Sequence, residues 1–119
     1  RSVCEKLNKE LVRLNSAALE YMIAISRPNA SSNAKKQDSI KSLAFGIVSI
    51  GVELIPKKGR IRDLSINLNS FAGRLDSKIT KDQERKLLDS IMGIVSTMKK
   101  ETDRFVKKQI EPLMKLTKR

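Results

Sequence analysis

The chain has 119 residues, the length of one domain, and its 25 lysines and arginines outnumber its 13 acidic residues to give a formal charge of +12. It contains no histidine and a single cysteine. This excludes Ser-His-Asp and Cys-His catalytic arrangements, histidine-ligated zinc, intramolecular disulfides and cysteine metal clusters. We therefore expect one non-enzymatic domain over residues 1–119, with no catalytic residue, metal or cofactor. The large positive charge favours a polyanionic partner, namely nucleic acid, an anionic membrane surface or an acidic protein, and a merely solvated basic surface is the alternative.

No apolar run reaches the roughly eighteen residues that a membrane span requires, and no secretory signal peptide is visible. We therefore expect no transmembrane segment and a cytoplasmic location. Because the chain begins at Arg1 and not at a methionine, we interpret it as a processed product or a fragment of a larger protein.

The first predicted helix covers about residues 2–26. Its apolar residues alternate at spacings of three and four, which is typical of a helix packed along one seam of a bundle. Pro28 disfavours helical geometry in the residue before it, and the polar run 29–33 predicts a loop. We expect Cys4 to be a small buried side chain and Tyr21 to be a core residue with its hydroxyl at the edge of the bundle. The predicted seam consists of Cys4, Leu7, Leu11, Leu14, Ala18, Tyr21 and Ile25.

The second predicted helix covers about residues 35–55. Its window 45–54 is rich in isoleucine and valine, so a strand is the competing interpretation, but the three-and-four spacing persists and no second strand exists to pair with it. The helix is apolar on more than one side, which is typical of a central helix that contacts several neighbours. Gly46 and Gly51 would permit close approach of another helix. The residues outside its main stripe that make it apolar are Phe45, Val48 and Val52.

Two further helices are predicted, over about residues 61–78 and 81–116, so the sequence predicts an all-α four-helix bundle. Thr80 is the expected N-cap of the fourth helix, and Gln83 would complete a capping box. Pro112 is expected to kink or end that helix. The fourth helix is longer than the others, so we expect it to project past the bundle or to pack on a second copy, which would make a homo-oligomer.

Basic residues gather in three places, of which the first is only the pair Lys35 and Lys36 in the loop before the second helix. The second place surrounds Gly59, where cations at a helix N-terminus disfavour the helix but suit a phosphate. The third lies along one face of the fourth helix, where cations at helical spacing could follow a phosphate backbone. A solvated helix exterior with a few ion pairs is the alternative for the third. The candidate nucleic-acid-binding residues are therefore Lys57, Lys58, Arg60 and Arg62 in the second cluster, and Lys100, Arg104, Lys107 and Lys108 in the third.

The third helix carries Asn67 and Asn69 on either side of Leu68. Asparagine is unfavourable inside a helix because its amide competes with the backbone for hydrogen bonds. Two asparagines within one turn therefore indicate a role beyond helix formation. They lie about 200° apart around the helix axis, so we expect one to lie beside the seam and the other to be exposed.

The segment 67–76, read NLNSFAGRLD, resembles the hallmark run Asn-Leu-Asn-Gln-Ile-Ala-Arg-Arg-Leu-Asn of bacterial mobilisation proteins of the MobC kind. Phe71 and Asp76 are similar in character to the family residues, whereas Ser70 and Gly73 depart from them. The resemblance implies a relaxosome accessory protein that binds DNA near a transfer origin and helps a relaxase to reach its nick site. It also adds Arg74 to the candidate DNA-binding residues. The identical positions are Asn67, Leu68, Asn69, Ala72, Arg74 and Leu75.

Two functions therefore stand as hypotheses. The first is a basic helical accessory protein that binds nucleic acid, with duplex DNA as the expected form, through phosphate contacts. The second is a helical interaction or assembly module, such as an adaptor, an effector or a self-associating bundle, with no catalytic activity.

Overall fold

The structure is a computed structural model that describes residues 2–54 and 59–110. The described chain is helical and contains no strand, so the four-helix prediction is confirmed and the strand alternative for residues 45–54 is wrong. The helices are α1 (Ser2–Ile25), α2 (Ala34–Leu54), α3 (Arg60–Gly73) and α4 (Lys81–Phe105), and a π-helical segment covers Val106–Ile110.

The four helices close a ring in which α1 packs against α2 and α4, and α3 packs against the same two helices. Short connections make sequential helices antiparallel, as in an up-down-up-down bundle. Two contacts fix the register. Arg60 at the start of α3 meets Glu101 near the end of α4, and Gln37 in α2 meets Glu84 at the start of α4. The beginning of α3 and the end of α4 therefore share one end of the bundle.

The predicted seam of α1 is confirmed, because all seven of its residues are buried. Burial raises the pKa of the Cys4 thiol above its usual value, which keeps the thiol in its neutral and unreactive form. The core is filled by aliphatic side chains from all four helices. Its largest fully buried members include Leu7, Leu11, Leu14, Ile40, Ile47, Leu68, Leu75, Leu88, Ile91 and Met98.

The expectation that α2 is a central helix is wrong. It packs on two neighbours like every other helix of the ring, and Phe45 and Val52 remain 64% and 40% exposed. Only one of its two interior glycines lies at a helix crossing. A Cβ added at Gly51 would lie 3.0 Å from Oγ and 3.3 Å from Cβ of Ser65 in α3, whereas one added at Gly46 would meet nothing within 4 Å.

Helix α3 ends at Gly73, so the expectation that it continues to residue 78 is wrong. The backbone N–H groups of Arg74 and Leu75 bond three residues back, in a tightened last turn. Beyond it, the Asp76 carboxylate accepts the N–H of Lys78 at 3.1 Å, which gives the backbone an alternative to the helical bond. Leu75 is nevertheless fully buried, so the apolar stripe extends beyond the end of the helix.

Helix α4 begins at the predicted capping box. The Thr80 side chain accepts the N–H of Gln83 at 3.1 Å, and the Gln83 side chain accepts the N–H of Thr80 at 2.9 Å. Its α-helical part ends at Phe105, and the described chain continues to Ile110 in π-helical form. The predicted continuation to residue 116 and the predicted kink at Pro112 lie outside the described residues.

None of the described helices combines the length and the apolar character that a membrane span needs.

Candidate nucleic-acid interface and the cleft between α3 and α4

Cations from two of the predicted clusters come together at one end of the bundle. Arg60 of α3 and Arg104 of α4 both contact Oε1 of Glu101, at 3.8 Å and 3.4 Å. Both arginine side chains stay more than 60% exposed while Glu101 is only 16% exposed, so the carboxylate lies beneath two guanidinium groups that face solvent. Three exposed lysines of α4 and the π-helical segment continue this surface, which we call the basic end. The basic end consists of Arg60, Lys100, Arg104, Lys107 and Lys108.

The electrostatics of the basic end favour an anion. Its five cations, together with Glu101 and Asp103 in the same stretch of α4, carry a net charge of +3. Surface ion pairs of this geometry stabilise a protein by at most about 1 kcal/mol each. A phosphate can therefore replace Glu101 as the partner of either arginine at little energetic cost.

Other predicted cations lie elsewhere. Lys57 and Lys58 fall outside the described residues. Arg62 is partly buried and lies about 200° around α3 from Arg60, on the flank that faces α2. Arg74 follows Arg60 by fourteen residues, or about 21 Å along the helix axis, so it does not belong to the basic end. Its guanidinium lies over the Phe71 ring, 5.1 Å from the ring centroid.

The two asparagines behave as the helical periodicity predicts, because Asn67 is exposed and Asn69 is partly buried. Leu68 between them is fully buried in the core. The two amides therefore lie on different sides of α3 and do not form one site.

The end of α3 and the first turns of α4 enclose an open cleft of about 620 Å³. Three apolar side chains and two cations contribute to its wall, together with Asp76 and two neutral polar side chains. The residues around it are Phe71, Gly73, Arg74, Asp76, Ile79, Gln83, Lys86, Leu87 and Ser90. Four residues of the segment that resembles the mobilisation proteins thus border this cleft, namely Phe71, Gly73, Arg74 and Asp76.

A buried polar cluster at the opposite end of the bundle from the basic end was not predicted. The Ser32 hydroxyl donates to Oε1 of Glu84, and Nε2 of Gln37 donates to the same oxygen at 3.4 Å. The Tyr21 hydroxyl accepts the N–H of Asn33 at 3.1 Å. Burial raises the pKa of Tyr21, and the neighbouring Glu84 carboxylate adds to the rise. These bonds hold the loop between α1 and α2 against the start of α4.

Glu84 is the member of this cluster whose burial is least expected from its position in the sequence. In the sequence it looks like an acid that complements the helix dipole in the first turn of α4, a role usually filled at the surface. In the structure it is fully buried, and Oε2 has no hydrogen-bond partner among the described residues. The available signal was its spacing of four residues from Leu88, which puts it on the apolar stripe of α4.

Within residues 2–54 and 59–110, no group of three or more acidic or cysteine side chains is arranged to hold a metal ion. Comparisons with protein-family models, with curated proteins and with solved structures find no match to this chain.

Proposed function

We propose that this protein is a non-enzymatic accessory factor that binds duplex DNA through phosphate contacts at the basic end. Support comes above all from Glu101, which draws Arg60 and Arg104 from two separate helices into one exposed cluster. The formal charge of +12 on the whole chain adds long-range attraction to any polyanion. Contacts of this kind position a protein on DNA without reading its sequence.

The resemblance of residues 67–76 to the mobilisation proteins gives this proposal a biological setting. A relaxosome accessory protein has to hold DNA near a transfer origin while another protein cuts it. A phosphate-binding bundle without catalytic groups fits such a role. The exposed Asn67 is the motif amide with access to a partner, and it lies on the same helix as Arg60.

Duplex binding is tested by fluorescence anisotropy with a 30-base-pair probe between 50 and 200 mM salt. We expect the logarithm of the association constant to fall linearly with the logarithm of salt concentration, by about 0.9 for each phosphate contacted. The triple variant Lys100→Gln, Lys107→Gln, Lys108→Gln should reduce this slope by about 2 to 3. An absence of duplex binding at 50 mM salt would refute the proposal.

A matched control removes the same charge from the other end of the bundle. Lys35, Lys36 and Lys78 are exposed and lie in or beside the loops distant from the basic end. Their triple replacement by glutamine should leave the slope almost unchanged. Equal losses in the two triple variants would mean that only net charge matters and that the basic end is not a site. Single-stranded DNA and RNA probes of equal length show whether duplex DNA is the preferred form.

The second candidate function is a protein-interaction module, and it is favoured by an apolar stripe on the outer side of α1. Val12, Leu19 and Ile23 are 50%, 47% and 54% exposed, and their spacings of seven and four put them on one side of the helix. Sedimentation equilibrium tests the self-associating form of this function. We expect association that Leu19→Lys abolishes, and a strictly monomeric protein at all concentrations would contradict it.

A further inference from the structure

The cleft between α3 and α4 is a second candidate site, separate from the basic end. We propose that it binds a small amphipathic carboxylate, which is an apolar ring or short chain that carries one acidic group. Its volume of about 620 Å³ lies within the usual 300–1,000 Å³ of small-molecule pockets. This inference does not depend on DNA binding, because Arg74 lies about 21 Å from Arg60 along α3.

The apolar part of the ligand is specified by the floor of the cleft. Phe71 and Leu87 are partly buried and pack against the hydrophobic core, while Ile79 contributes a further apolar side chain from the connection between the helices. These three side chains give a mixed aromatic and aliphatic surface. Burial of an apolar ring against such a surface is favourable because it removes apolar area from water.

The acidic part of the ligand is specified by the cations. The Arg74 guanidinium lies over the Phe71 ring at 5.1 Å, and both residues border the cleft. Such stacking restricts the planar fork of N–H donors before any ligand arrives. A planar fork matches the two oxygens of a carboxylate. Lys86 adds a second positive charge on the α4 side.

Asp76 offsets one of these two charges, so the cleft wall keeps a net charge of +1. Asp76 already accepts the N–H of Lys78 at 3.1 Å and the Ser77 hydroxyl at 3.4 Å, and the bond from Lys78 lowers the pKa of its carboxyl. Oε1 of Gln83 accepts the N–H of Thr80, so the Nε2 group of Gln83 serves as a donor on the cleft wall.

The probes that test the proposal are matched in shape and differ in charge. N-acetylphenylalanine and 3-phenylpropionate carry the carboxylate, whereas N-acetylphenylalanine amide keeps the ring without the charge. Titrations are followed by amide chemical shifts in the full chain. We expect saturable shifts that map to residues 71–90, and an affinity for N-acetylphenylalanine at least about tenfold above that for its amide. Tighter binding of N-acetylphenylalanine than of 3-phenylpropionate would identify a peptide C-terminus as the natural source of the carboxylate. Tighter binding of 3-phenylpropionate would identify a free acid.

Variants separate the cleft from general surface charge. Arg74→Gln should weaken binding of the acid about tenfold and leave the amide unaffected, whereas Arg13→Gln on α1 should change neither. Ser90→Leu narrows the cleft with a larger and better helix-forming residue and should weaken binding of both probes, while circular dichroism checks that each variant is folded.

Several results would overturn the proposal. These are equal affinities for acid and amide, shifts that lie outside residues 71–90, equal effects of Arg74→Gln and Arg13→Gln, or no saturation with either acid. Displacement of the acid by duplex DNA would assign Arg74 to the DNA-binding surface and would also overturn it. The proposed function is unaffected by any of the first four results, since its cations lie at the other end of α3.

Discussion

Replacement of Glu101 by glutamine distinguishes a DNA-binding basic end from a solvated helix exterior. The substitution removes a carboxylate that Arg60 contacts at 3.8 Å and Arg104 at 3.4 Å. If phosphates bind these arginines, Glu101 competes with the phosphates, and its neutralisation should tighten binding. If the arginines serve only the fold, its neutralisation should only reduce stability.

The magnitude follows from the exposure of the two pairs. Both arginines are more than 60% exposed, so solvent screens the pairs and each is worth about 0.2–1 kcal/mol. Release of both arginines should therefore lower the free energy of DNA binding by about 0.4–2 kcal/mol, which is an affinity gain of roughly 2- to 30-fold. Two additional phosphate contacts should steepen the slope of the logarithm of the association constant against the logarithm of salt concentration by about 1 to 2. The loss of folding stability should stay below about 2 kcal/mol.

Fluorescence anisotropy against salt concentration measures the affinity, and urea denaturation measures the stability. Glu20→Gln is the control, because Glu20 is exposed on α1 and its replacement changes the net charge by the same amount. An affinity for Glu101→Gln that is equal to or below that of the control, in a folded protein, would refute the competition between Glu101 and phosphate.

The remaining predictions concern stability, and urea denaturation measures the first two. Gly46→Ala should stabilise the protein by about 0.5–1 kcal/mol through helix propensity. Gly51→Ala should lose this gain because its new methyl group contacts Ser65 of α3. Equal effects of the two substitutions would contradict the close crossing of α2 and α3. Ser32→Ala should destabilise the protein by about 1.5–3 kcal/mol because it removes a bond to a buried carboxylate, while the exposed Ser31→Ala should stay within about 0.5 kcal/mol. Because the pKa of Tyr21 is raised in the folded state, its contribution to stability is complete below its unfolded value near 10 and is lost as pH rises through the folded value. Ultraviolet titration of this single tyrosine and melting temperatures above pH 10 check this, with Tyr21→Phe as the control whose melting temperature should fall less over the same pH range.

The positions of the helices were predictable because they follow from local rules. The three-and-four spacing of apolar residues predicted the buried seam of α1. The pair Thr80 and Gln83 predicted the start of α4, because the two residues form hydrogen bonds with each other across three positions. The end of α3 was predicted incorrectly for a local reason as well. The apolar stripe continues to Leu75. However, the Asp76 carboxylate accepts a hydrogen bond from the N–H of Lys78, and the helical hydrogen bonds end before Asp76.

The candidate sites were predictable only in part. The sequence identified the cations of both clusters, but it did not show that Arg60 and Arg104 share a carboxylate, since these residues are more than forty positions apart. The cleft beside Arg74 likewise depends on how the first turns of α4 lie against the end of α3. Neither arrangement has a signature in residue spacing.

The sequence by itself determined that this chain forms four amphipathic helices with a strongly positive charge, because helical periodicity and net charge are properties of the chain alone. Only the tertiary structure decided which cations meet, that Glu84 is buried against the Ser32 loop, and that Gly51 and not Gly46 lies at a helix crossing. The physical reason is that these features depend on the rotation and register of one helix against another. Packing of the whole core sets that rotation and register, and residues distant in sequence determine it together.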